Sequence, residues 1–110
     1  ALLVTPQGQV LAGTLNGDLY RLLGRSWVRF FQFNALVLAL IANEQGHIFA
    51  ATYGFGVFRS TDGGRTWTEM NVGLTDLYVL SLALKPDDGT LFAGTSAGGI
   101  FRSVASTLER

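Results

Sequence analysis

Ser60-Thr61-Asp62-Gly63-Gly64-Arg65-Thr66-Trp67 separates an apolar run that ends at Arg59 from a second that begins at Trp67, and its composition is that of a clamped hairpin turn. Gly63 and Gly64 supply the positive φ angles of a tight reversal. Asp62 is placed to fold its carboxylate over the turn and accept backbone N–H groups, with the hydroxyls of Ser60 and Thr66 on either side. Trp67 adds a large apolar face and one N–H that needs a partner, which suits the seam between two packed sheets. Such a stretch holds a loop; it carries no catalytic chemistry.

Outward from the turn, the chain repeats itself. Val10-Leu11-Ala12-Gly13-Thr14, Ile48-Phe49-Ala50-Ala51-Thr52 and Leu91-Phe92-Ala93-Gly94-Thr95 are one phrase written three times. An arginine follows each threonine by seven residues (Arg21, Arg59, Arg102), and a glycine precedes each by six (Gly8, Gly46, Gly89). The offsets, 38 residues from Thr14 to Thr52 and 43 from Thr52 to Thr95, lie near the ~40–45 of four-stranded propeller blades.

Each unit reads as a meander. First strands are expected at residues 2–5, 38–42 and 80–85, and the turns after them hold Pro6-Gln7-Gly8, Asn43-Glu44-Gln45-Gly46 and Pro86-Asp87-Asp88-Gly89. Second strands carry the repeated phrase, whose small residues fit a strand packed closely between neighbours. Third strands run over residues 18–21, 56–59 and 99–102, after hairpin turns that contain Asn16-Gly17, Tyr53-Gly54-Phe55 and Ser96-Ala97-Gly98. Fourth strands begin at the tryptophans, over residues 27–33 and 67–72. The turn before Trp27 is two residues shorter and lacks the aspartate; in the third unit the pattern stops after Ser103, so that Arg110 stands where a fourth-strand tryptophan belongs. No helical periodicity competes.

The spacing Ser60-x-Asp62-x-Gly64-x-Thr66-Trp67 resembles the Asp-box, or bacterial neuraminidase repeat. Members of that repeat family include sialidases, sortilin-type receptors, xyloglucan-degrading glycosidases, photosystem II assembly factors and secreted bacterial propellers. The resemblance implies that the box joins the third and fourth strands of a blade, away from the substrate-binding face. The expected fold is all-β, part of a β-propeller of about eleven strands in two and three-quarter antiparallel four-stranded blades. Blade 1 is expected over residues 1–35, blade 2 over 36–76 and an incomplete blade 3 over 77–110 of a single segment. A fold of this kind is shared by many functions.

Composition agrees with short buried strands and tight turns. Glycine, 14 of 110 residues, is about twice the usual ~7% share, and charged residues at 15% fall below the usual ~25%. Eight basic and eight acidic side chains balance, so neither nucleic acid nor an anionic membrane surface is an expected partner. The absence of cysteine removes disulfides, thiolate metal sites and thiol catalysis. The longest apolar run, residues 35–42, is far short of the ~20 residues of a spanning helix, so no membrane insertion is expected. The start at Ala1 fits either a processed product or a segment of a longer protein; the compartment is open, with a secreted or extracytoplasmic setting suggested by the resemblance.

No catalytic residue, cofactor or metal is expected, and the chain is read as a non-enzyme. A sialidase needs clustered arginines with a tyrosine, a glutamate and an aspartate around the sugar, whereas Arg21, Arg59 and Arg102 recur at one repeat position and Arg25 and Arg65 at another, as repetition alone produces. The acids sit mostly in turns, and no pair is forced to the ~5–10 Å of a glycosidase. Asp87-Asp88 before a glycine reads as a solvated turn, and His47 is the only histidine.

A binding surface is expected at the edge opposite the box, where second-to-third turns and inter-unit connections gather Asn16, Tyr53, Phe55, Asp76 and Tyr78, with Asn34 and Ser96 beside them. Glycine-flanked aromatics there suit stacking on a carbohydrate or peptide ligand, or packing over the blade edge. An incomplete ring leaves its first and last blades with open apolar faces. Copies of this chain (a homo-oligomer), the remaining blades of a longer chain, or a partner that supplies the missing strand by edge pairing would cover them. Three functions stay compatible: a non-catalytic interaction scaffold, a fragment of a propeller glycoside hydrolase, and part of an extracytoplasmic sensor.

Overall fold

The computed structural model describes residues 1–103, 106 and 107. Its eleven strands are β1 (Leu2–Val4), β2 (Val10–Gly13), β3 (Asp18–Leu23), β4 (Ser26–Gln32), β5 (Val37–Ala42), β6 (Ile48–Thr52), β7 (Gly56–Ser60), β8 (Thr68–Glu69), β9 (Val79–Leu84), β10 (Leu91–Thr95) and β11 (Ile100–Arg102). They form three antiparallel meanders in chain order, β1 to β4, β5 to β8 and β9 to β11, with no helix among the described residues. The fold is the all-β part-propeller expected from the repeats.

Alternation along the second strands explains the stacking. In β6, Ile48 and Ala50 enter one core with Leu11, Leu19, Phe33, Val37 and Leu40, while Phe49 and Ala51 enter another with Val57, Val79, Leu91 and Ala93. A strand of period two that is apolar on both faces must be covered on both, and all five residues of β6 are buried. In the outer sheets only one face is covered: Leu11 of β2, and Leu91 and Ala93 of β10, point inward while Val10 and Phe92 alternate with them. The first strands sit together at the hub, with β5 packed against β1 and β2 on one side and β9 on the other. Small residues in the repeated phrase permit this approach: a Cβ added at Gly13 would stand 2.7 Å from Val37 Cγ1.

The turn at residues 60–67 is clamped as its composition suggests. Ser60, buried, accepts the Gly64 N–H at 2.9 Å and donates to Asp62 Oδ1 at 2.8 Å. Asp62 Oδ1 accepts the N–H groups of Arg65 and Thr66, both at 3.0 Å, and Oδ2 accepts the Thr66 hydroxyl. Gly63 and Gly64 have φ of 79° and 95°. The Trp67 indole N–H donates to Gly64 O at 2.9 Å, and its ring leans on Phe33 and Phe31 of the preceding sheet at 5.2 and 6.0 Å between centroids. The seam between sheets is where Trp67 lies.

The fourth strand of the second sheet departs from expectation: of residues 67–72 only Thr68–Glu69 form strand β8 against β7, and the Met70 N–H adds one further backbone bond, to Val57 O at 2.8 Å. Trp67 is held back by its bond to Gly64. On the far side the Asn71 side chain takes over the ladder, accepting the Val57 N–H at 2.8 Å and donating to Phe55 O at 3.1 Å. The fourth strand of the first sheet starts at Ser26, one residue earlier than expected, and continues to Gln32. After β11 the Ser103 N–H bonds Leu91 O, and Thr107 lies buried with its N–H and hydroxyl on Gly89 O. Arg110, the expected site of a missing tryptophan, lies outside the described residues.

Candidate functional site

The edge opposite the clamped turn is built from three hairpin turns and two connections between sheets. Backbone bonds fix the middle turn on both sides: Tyr53 N–H reaches Leu36 O at 3.0 Å, and Gly54 and Gly56 N–H reach Leu77 O at 3.0 and 2.9 Å. Tyr53 also pairs with Tyr78 as an isolated antiparallel bridge. The two phenol rings meet edge to face, 4.6 Å apart at 72°, and both are nearly half exposed. That is a favourable geometry for an aromatic pair, and it leaves nearly half of each residue open to solvent.

The remaining expected residues occupy different places on this edge. Phe55 is exposed and lines a separate cleft of about 230 Å³ with Phe31, Phe33, Asn34, Phe58 and Trp67, between the first and second sheets. Asn16 is exposed in the turn of the first sheet. Asp76 is engaged in the fold itself: Oδ1 accepts the Tyr78 N–H at 2.9 Å, and Oδ2 accepts the N–H groups of Ala97 and Gly98 at 2.8 and 3.0 Å and the Ser96 hydroxyl at 3.3 Å. These bonds, led by the Tyr78 and Ala97 N–H groups, hold its carboxyl below the usual range. Asp76 staples the connection between the second and third sheets to the third sheet's turn.

Leu36 and Leu77, both exposed in the connections, extend the apolar part of the edge beyond what the sequence singled out. Apolar residues inside otherwise polar linkers were the available signal. Two tyrosines with leucines around them and few free charges suit stacking and hydroxyl hydrogen bonding to an uncharged, ring-bearing or extended ligand.

Of the three repeated arginines, Arg21 and Arg59 have structural partners. Arg21 lies over the Phe30 ring at 4.5 Å, and Arg59 donates from Nη2 to His47 Nδ1 at 2.8 Å and to Thr107 O at 2.6 Å. His47 is thus paired within the fold. Among the described residues no group of three or more His, Asp or Glu side chains is placed to hold a metal. Asp88 accepts the Thr90 N–H at 3.0 Å, which lowers its carboxyl, and lies 3.6 Å from Lys85 Nζ.

No protein-family model matches the chain, and no curated protein matches it. Solved structures do. PorZ, a surface component of the type-IX secretion system of Porphyromonas gingivalis, matches at TM-score 0.77 and 19% identity over 93% of this chain and 17% of its own. YCF48 bound to D1 peptide matches at TM-score 0.71 and 16% identity, over 96% of this chain and 36% of its own. The GH74 enzyme of Niastella koreensis matches at TM-score 0.66 and 23% identity, over 96% of this chain and 21% of its own. All are β-propeller proteins, and this chain spans about a third or less of each. At such identities the likeness establishes the fold.

Proposed function

We propose that this chain is a segment of an Asp-box β-propeller that acts, without chemistry of its own, as a binding scaffold. Its ligand, a carbohydrate or peptide, would engage the edge bearing Tyr53 and Tyr78. Its ring is completed by copies of the chain or by further blades of a longer one.

Three positions in register carry the proposal. Leu19, Val57 and Ile100 occupy the same place in the three third strands, yet they are 1%, 2% and 81% exposed. The first two are covered by the sheet that follows; Ile100 has no following sheet among the described residues. The opposite face repeats the contrast. Leu40, paired with Ala50, is buried against the first sheet, whereas Leu2, paired with Ala12, is exposed, as is Trp27 where Trp67 is packed. Each outer sheet thus presents one half of an interface whose complete form lies inside the molecule, and another blade is the surface that fits it.

The engagement of Asp62, Asp76 and Asp88 with turn N–H groups supports the absence of chemistry. Likeness to a GH74 enzyme favours, as second reading, a glycosidase segment whose carboxylates come from other blades. Light scattering tests the scaffold proposal. The chain should show a mass above the 11.8 kDa of one copy, rising with concentration, and Ile100→Lys should lower it. Release of sugar from xyloglucan by the purified chain would overturn the non-catalytic part.

A further inference from the structure

Five aromatic side chains line the cleft between the first and second sheets, both of which are described from their first strand to their fourth. Phe33, buried, is the centre: its ring lies 4.9 Å from Phe31, 5.0 Å from Phe58 and 5.2 Å from Trp67. These rings hold one another and form a wall. Phe55 is different. It borders the same space of about 230 Å³, is 51% exposed, and shares in no ring contact among the described residues. The repeat sharpens the contrast, because the position that Phe55 takes after Thr52 is a glycine after Thr14 and after Thr95, namely Gly17 and Gly98. The turn itself therefore asks for no aromatic residue there, and half-exposure forgoes much of the burial that stabilises one elsewhere. The backbone that carries the ring is nevertheless pinned, by Gly54 and Gly56 N–H on Leu77 O and by the Asn71 amide on Phe55 O. The polar lining is neutral: the Gln32 and Asn34 amides are exposed and without a partner among the described residues, the Thr52 hydroxyl is engaged by Gly56 O at 2.7 Å, and no lining residue is charged.

We propose that this cleft binds a small neutral aromatic compound with one polar substituent, of the size of a substituted phenol. Its ring sits between Phe55 and the wall of Phe31, Phe33 and Trp67, and its substituent meets the Asn34 and Gln32 amides. Aromatic walls favour a further ring in an edge-to-face or offset arrangement. The space is small beside the ~300–1,000 Å³ of sites for drug-sized ligands, so that a single ring fits. A carboxylate or ammonium group would lie there without a countercharge, and a sugar would bury hydroxyls against hydrocarbon with only two amides to bond them. The inference goes beyond the reading of the Tyr53 edge and does not depend on it or on how the propeller ring is completed.

The test is a titration of the isotope-labelled chain with 4-methylphenol, followed by backbone and indole NMR signals. Saturable shifts centred on Phe55, Asn34 and the Trp67 indole are expected, half complete below about 1 mM, while the indole of Trp27, which does not line the cleft, stays in place. Cyclohexanol, which keeps the ring size and the hydroxyl but lacks the π face, should bind about fivefold more weakly or worse. Phe55→Gly, which installs the residue of the other two units, should weaken 4-methylphenol about tenfold, as for loss of an aromatic anchor. The comparison of ligands leaves the chain unchanged, so its result holds whether or not that variant folds. Absence of saturable shifts up to about 10 mM 4-methylphenol would overturn the proposal. So would equal binding by cyclohexanol, tighter binding by methyl glucoside, or shifts centred on Tyr53 and Tyr78, which would report the other edge.

Discussion

Replacing Ser60 by alanine removes one oxygen from a buried position and isolates the clamp from every other feature of the turn. The Ser60 hydroxyl accepts the Gly64 N–H at 2.9 Å, and Gly64 is itself buried. Phe30 of the first sheet closes over it so tightly that an added Cβ would stand 2.6 Å from its ring. Water has little access to replace the lost acceptor, so the unpaired N–H costs about 1–3 kcal/mol. Asp62 also loses the Ser60 donor, but its carboxylate faces solvent and keeps the Thr66 and Arg65 bonds, which adds little. A destabilisation of about 2 kcal/mol results. With a urea m-value of roughly 1–3 kcal/mol/M for a domain of this size, the unfolding midpoint falls by about 1 M. Tryptophan fluorescence during urea unfolding measures it directly. The matched control is Ser26→Ala in the shortened turn, where the serine is exposed and the change stays within about 0.5 kcal/mol. Equal, small effects at both positions would refute the clamp.

Three further outcomes follow from the packing and the charges. Trp67→Ala removes the ring seated on Phe31 and Phe33 and should cost about 3 kcal/mol, against well under half of that for the exposed Trp27→Ala; denaturant midpoints compare the two. Asp62 is held well below the usual carboxylate range, chiefly by the Thr66 hydroxyl and N–H and then by Ser60. Because its folded pKa is depressed, the stability it contributes is full above the unfolded value of 3.8 and is lost as pH falls through the folded one. Urea midpoints from pH 7 to 2 should therefore drop below pH ~4, and Asp62→Asn should shrink that drop. Gly13→Val places branches against Val37, where even a Cβ would lie at 2.7 Å; overpacking of about 1–3 kcal/mol is expected, visible as a lowered thermal midpoint.

Much of this was legible because repetition and burial share one period. The thrice-written phrase located the second strands, and the small residues within it anticipated the close approach of β5 to β2. The clamp was legible because Asp62, Ser60 and Thr66 act within a few residues of one another. What the sequence hid depends on contacts made across distance. Asn71 replaces strand pairing with side-chain bonds to Val57 and Phe55 from 14 and 16 residues away, and nothing in its neighbours signals that. Asp76 stood among candidate ligand-binding residues, yet its partners Ala97 and Gly98 lie 21 and 22 residues on, joined only when two sheets stack. Tyr53 and Tyr78 were placed on one edge by topology, but their ring contact follows from the bridge between the middle turn and a connection. Phe55, two residues on from Tyr53, faces a different cleft because the chain turns at Gly54.

The most direct test of the open-face account is a mixing experiment with two singly blocked chains. Leu2→Lys closes the open face of the first sheet, and Ile100→Lys closes that of the third. If those faces are complementary halves of one blade interface, each variant alone stays at 11.8 kDa by light scattering, and an equimolar mixture yields a heterodimer through the one intact face of each. Wild-type chain that remains a monodisperse monomer at every concentration, or variants that associate as readily alone as when mixed, would contradict it.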